Sequence, residues 1–223
     1  SSKAGTITYG GNCSSSTTNA AADNITVNFN TLSDGTYSNC SISVTSALGV
    51  KGNSLKISSF KVDTTAPTLS QLTAVKSPTS DTTPSYAFSS KEAGTISYGG
   101  SCSSSTTSAV FGNNSIAFNT LSEKTHSNCK ITVTDAAGNA SGALSVNSFV
   151  IDTTSPSLAP VTLVTTPTND DTPTYVFSSD EDGTISYGGA CSSLTSSAGN
   201  GNNSITFNTL SEGNYANCTI KVF

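Results

Sequence analysis

Along residues 63–151 the apolar positions recur at every second residue in short bursts. Tyr86 and Phe88 alternate with Ser85, Ala87 and Ser89, and Ile96 and Tyr98 alternate with Thr95 and Ser97. Ile116, Phe118 and Leu121 mark the next burst, then Cys129, Ile131 and Val133, then Leu144, Val146, Phe149 and Ile151. A period of two belongs to a half-buried strand, whose side chains point alternately to opposite faces. Leu69, Leu72 and Val75 predict a first, irregular edge strand. Turn formers separate the bursts: Pro78 to Pro84, Gly99-Gly100, and Asp135-Ala136-Ala137-Gly138-Asn139. Ser103 to Asn113 reads as a polar loop. No stretch carries a helical period, so the pattern predicts seven short strands and an all-β fold.

This pattern recurs. The run from Gly94 to Cys102 is matched at Gly5 to Cys13 and at Gly183 to Cys191, and each copy has a second cysteine, at Cys40, Cys129 and Cys218. Counterparts lie 89 residues apart, and the two cysteines of a copy lie 27 apart. The reading is three repeats, 1–62, 63–151 and 152–223. The first lacks counterparts of residues 63–89 and the last lacks those of 135–151, so the window reads as cut from a continuing array. With 34 % apolar and 10 % charged residues, the chain can build several thin cores rather than one large one.

Six cysteines in register predict one disulfide per repeat: Cys13–Cys40, Cys102–Cys129 and Cys191–Cys218. That places the chain outside the cell or in a periplasm, where disulfides persist. Closing loops of this size stabilises each repeat by roughly 3–4 kcal/mol in the chain-entropy picture. Zinc fails on spacing, because no C-x-x-C occurs and the single histidine, His126, is not repeated. A net charge of −5 offers no basic patch for nucleic acid. No apolar run is long enough for a transmembrane segment.

Three further motifs carry a resemblance. Leu32-Ser33-Asp34-Gly35-Thr36-Tyr37 precedes a strand, Val133-Thr134-Asp135-Ala136-Ala137-Gly138-Asn139 follows one, and Asp-Thr-Thr-(Ala/Ser)-Pro stands at 63–67 and 152–156. Together they resemble the bacterial Ig-like tandem repeats of surface proteins and adhesins. The resemblance implies tandem Ig-like β-sandwiches of 89 residues, here with an added disulfide each, and a stalk between a binding tip and the cell. Tyr37 and Cys40 are three apart, as are Tyr215 and Cys218, so a β-bulge is expected near Asn39 and Asn217. His126 stands where the other repeats have Tyr37 and Tyr215, which marks it as a variant packing position.

Calcium is the cofactor the sequence raises. Asp63 and Asp152 lie at the repeat junctions and Asp135 in a turn able to fold back toward one, with Glu92 and Glu181 in neighbouring loops. Hard oxygen ligands from several loops suit calcium, and the 152 junction is the better candidate. The competing reading is that these aspartates cap turn amides. In the first repeat Ser46 and Lys3 stand at the positions of Asp135 and Glu92. No Ser/His/acid set recurs, so the chain reads as no enzyme, and Asp180-Glu181-Asp182 reads as a solvated loop. No lysine repeats at position 130, where Ser41 and Thr219 are the counterparts, which argues against a Lys–Asn isopeptide staple. The expected role is a stalk or fibre of an extracellular or cell-surface protein, with neighbouring repeats and copies of itself as partners. The alternative is adhesion to a glycan or protein through loops 14–24, 103–113 and 192–202.

Overall fold

A computed structural model describes residues 1–223 as 21 short strands with no helix. It forms two compact units, Ser1–Asp152 and Thr153–Phe223.

The first unit opens with β1 (Gly5–Gly10), β2 (Asn19–Ala20), β3 (Gly35–Tyr37), β4 (Ser41–Ser46), β5 (Leu55–Lys56) and β6 (Phe60–Val62). Four of these form a sheet ordered β2-β1-β4-β5, while β3 pairs with β6. Then follow β7 (Leu69–Thr73), β8 (Ser85–Ser90), β9 (Gly94–Gly99), β10 (Ser108–Ala109) and β11 (Gly112–Ala117). The unit closes with β12 (Lys124–His126), β13 (Lys130–Thr134), β14 (Leu144–Ser145) and β15 (Phe149–Ile151). Their sheets are β10-β9-β13-β14, β11-β8-β7 and β12-β15. All strand pairs are antiparallel, and the core lies between the sheets in a sandwich-like arrangement.

Period-two alternation explains that core. In β8, Tyr86, Phe88 and Ser90 are buried while Ala87 and Ser89 between them are partly exposed. Across the opposing sheet Val133 pairs with Ile96 and Ile131 with Tyr98, so inward positions coincide. Phe118 stacks between Tyr86 (6.1 Å) and Phe149 (6.2 Å).

The second unit contains β16 (Leu158–Thr162), β17 (Thr174–Ser179), β18 (Gly183–Gly188), β19 (Ser197–Ala198), β20 (Gly201–Thr206) and β21 (Thr219–Val222). Its sheets are β16-β17-β20 and β19-β18-β21. Phe177, Ile185, Ile205 and Phe207 form its core. An open groove of about 1230 Å³ lies in this unit, lined by Phe177, Phe207, Leu210, Tyr215 and Ile220 among others.

Two details differ from the sequence reading. No bulge occurs near Asn39. Tyr37 ends β3, which pairs with β6, and Cys40 precedes β4, which pairs with β1. The chain changes sheet between them, and this lets both bury despite their odd spacing. Near Asn217 the residues before β21 form turns and irregular backbone instead. The register shifts lie in the first strands, at Gln71/Thr73 and Pro160/Thr162. There Leu72 is the extra residue and turns outward, 48 % exposed. The loop 103–113 also holds more order than its polarity suggests. It contains β10, whose Ala109 is buried, and the start of β11.

Candidate functional site

The cysteine turns have the most distinctive local chemistry. All three predicted disulfides are present, with Cα–Cα distances of 5.4, 5.2 and 5.3 Å. Each joins neighbouring strands of one sheet just beyond the end of their pairing, as Cys102 follows β9 and Cys129 precedes β13. The turn before each first cysteine depends on its second glycine. Gly11, Gly100 and Gly189 have φ of 75°, 77° and 74°, where only glycine is free of strain. A Cβ there would also overlap the carbonyl oxygen of Asn39, Asn128 or Asn217. The same asparagines close the turn with their side chains. Asn128 Oδ1 accepts the Ser101 amide at 3.0 Å, Asn39 Oδ1 that of Asn12 at 3.2 Å, and Asn217 Oδ1 that of Ala190 at 3.3 Å. The sequence signal for this role is the asparagine before every second cysteine.

His126 occupies the expected packing position. It is 2 % exposed and stacks on Phe149 at 5.3 Å, as Tyr37 stacks on Phe60 at 5.3 Å. Tyr37 and Tyr215 donate their hydroxyls to the carbonyls of Ser33 and Ser211, four residues back, at 2.9 and 2.7 Å. His126 Nε2 makes the same bond to Ser122 O at 2.9 Å. A carbonyl only accepts, so Nε2 donates in this bond. Nδ1 faces the Ser101 hydroxyl at 3.1 Å.

Of the acidic candidates, Asp63, Glu92 and Asp135 come together, with one carboxylate oxygen of each within 4.8 Å of the others. Asp135 caps its own turn, with Oδ1 accepting the Ala137 amide at 2.8 Å and the Asn139 amide at 2.9 Å. Its Oδ2 accepts Asn139 Nδ2 at 2.9 Å, and that bond leads the causes holding the Asp135 carboxyl below the usual carboxylate range. Asn139 Nδ2 also reaches Asp63 O at 3.0 Å. Lys61, which the sequence reading missed, pairs with Asp63 Oδ2 at 2.7 Å, and this bond raises the Lys61 ammonium above its ordinary value. As ligands the three carboxylates suit calcium, which needs six to eight oxygens. They fit only with further carbonyl or water oxygens and with Lys61, 67 % exposed, swung aside.

Other carboxylates also hold loops together. Asp34 accepts the hydroxyls of Thr64 and Thr65, each at 2.7 Å. The Thr65 bond leads the causes that lower its pKa. In the second unit Asp180 accepts the Ser157 amide and Asp182 the Asn200 amide, both at 2.6 Å.

No family model, curated protein or solved structure matches the chain. No helix is long and apolar enough to cross a membrane.

Proposed function

We propose that this chain is a structural segment of an extracellular or cell-surface protein, a stalk or fibre of tandem Ig-like repeats of 89 residues. The carrying observation is the staple. Three disulfides close the same turn at the same place relative to matching strands. Such disulfides persist in an oxidising compartment, which supports an extracellular setting. The Ig-like assignment draws support from the tyrosine pattern. In Ig-like domains a tyrosine just ahead of the second cysteine bonds back to the backbone a few residues upstream. Tyr37 and Tyr215 do so here, with His126 in the same role. These disulfides join strands of one sheet, whereas antibody domains bridge two sheets. No reaction is assigned to the chain. Electron microscopy of the native protein tests the proposal. Thin rods or ordered filaments support it, and compact isolated particles refute it.

Calcium at Asp63, Glu92 and Asp135 is the cofactor that goes with this reading. Added Ca²⁺ should raise the melting temperature, chelator should reverse it, and Lys61→Ala should enlarge the shift. No shift in any of the three would remove calcium from the account.

The alternative, an adhesion module, is favoured by one feature. Val110 and Phe111 stand 58 % and 72 % exposed in one variable loop. Binding on a glycan array that Phe111→Ser abolishes would support it, and a silent array would count against it.

A further inference from the structure

Only the middle repeat combines a histidine with its disulfide. Cys102 Sγ, Cys129 Sγ and a ring nitrogen of His126 lie within 4.8 Å of one another, and the three residues are 4 %, 2 % and 2 % exposed. Ser101 Oγ sits among them, 3.1 Å from His126 Nδ1 and 3.8 Å from Cys129 Sγ. In the other repeats Asn12 with Tyr37, and Ala190 with Tyr215, take the places of Ser101 and His126.

Although the sequence spacing argued against zinc, the fold gathers a donor set, and we propose that the Cys102–Cys129 staple becomes a zinc site when it is reduced, with Cys102, Cys129 and His126 as ligands and Ser101 Oγ or water as the fourth. Two thiolates and an imidazole are a recurring zinc donor set, and zinc is held tetrahedrally at about 2.0–2.3 Å. Ligand atoms in such a site lie roughly 3.3–3.8 Å apart. The present cluster needs the sulfurs to part and the other atoms to adjust by about an ångström. The imidazole is already set for the task. Metal-binding histidines donate their second ring N–H to a carboxylate or carbonyl, which fixes tautomer and ring orientation. His126 makes that bond to Ser122 O, which leaves Nδ1 as the ring nitrogen facing Ser101 Oγ, 3.1 Å away.

The reductant is a dithiol. By thiol–disulfide exchange it passes two electrons and two protons to the Cys102 and Cys129 sulfurs and leaves as its own cyclic disulfide. Zn²⁺ then displaces both thiol protons, which go to solvent. The metal recloses the same loop that the disulfide had closed, so one repeat keeps a staple in either redox state. While the disulfide is intact its sulfurs carry no thiolate charge, and the site is closed to metal.

The test is anaerobic titration of the full chain with Co²⁺, after dithiol reduction and removal of the dithiol, followed by Zn²⁺ competition. The reduced chain should bind about one Co²⁺ with thiolate charge-transfer absorption and tetrahedral visible bands, all lost on adding Zn²⁺. The oxidised chain should show neither. His126→Tyr, which installs the residue used at positions 37 and 215, should weaken Co²⁺ binding at least about tenfold. The pair Asn12→Ser with Tyr37→His should raise the stoichiometry to about two. Equal binding by the wild type and His126→Tyr would overturn the proposal, because any reduced cysteine pair would then suffice. Absence of tetrahedral Co²⁺ bands in the reduced wild type would overturn it too.

Discussion

At the scale of single residues, backbone geometry and capping bonds decide which positions tolerate change. Gly100 combines a φ of 77° with a Cβ position that runs into the Asn128 carbonyl, a rigid backbone atom. Gly112 has a φ of 97° and nothing within 4 Å. Gly100→Ala should therefore cost at least about 2 kcal/mol, since the turn must move. Gly112→Ala should cost about 1 kcal/mol, for conformation alone. Equal shifts of the urea midpoint in the two variants would contradict the clash. The capping aspartates give a pH prediction. Asp34 and Asp135 are both held below the ordinary carboxylate value, chiefly by Thr65 and Asn139 respectively. A depressed folded value means that the unfolded chain takes up protons first. The stability from these groups is present above the unfolded pKa of about 3.9 and is lost as the pH falls through the folded value. Melting temperature should drop as acid is added from roughly pH 5 downward through the carboxylate range, and less steeply in Asp135→Asn. Parallel curves for the two proteins would refute the assignment.

At the scale of elements, period-two patterning made the strands legible but not their partners. Tyr86 and Phe88 announce an inward face by alternating with small polar residues, and both are buried. The spacing of Tyr37 and Cys40 suggested a bulge, because a local pattern does not say which sheet a strand joins. The answer lies in β6 and β1, which sit on opposite sides of that segment in sequence. The acidic cluster was half legible for the same reason. Asp63, Glu92 and Asp135 lie on segments far apart in the chain, and only the fold brings them together. The cysteines were readable because repetition marks their pairing, and the staple they make has a measurable worth. The Cys102–Cys129 loop spans 27 residues. Replacing both cysteines by alanine should lower the stability of the Ser1–Asp152 unit by about 3 kcal/mol, from the greater freedom of its unfolded chain. The transition of the Thr153–Phe223 unit should stay in place, since its own staple is intact. A matching loss in both units would mean that they unfold together.

At the scale of the whole molecule, two compact units and three staples define how the chain should respond to load. Units with separate cores open one at a time, each limited by its own contacts. An intact disulfide keeps the residues between its cysteines out of the extending chain. Each staple hides a separation of 27 residues. At about 3.3–3.6 Å per extended residue, less the gap the disulfide already spans, that is roughly 90 Å. Single-molecule pulling of the oxidised chain should therefore give separate rupture events with shortened releases. Reduction should lengthen the total release by roughly 90 Å for every staple opened. A stalk gains from this arrangement, because a repeat that yields under force gives up little length and keeps its ends close enough to refold. If reduction leaves the released length unchanged, the staples do not cap extension, and the mechanical reading of the repeated cysteine pairs fails with them.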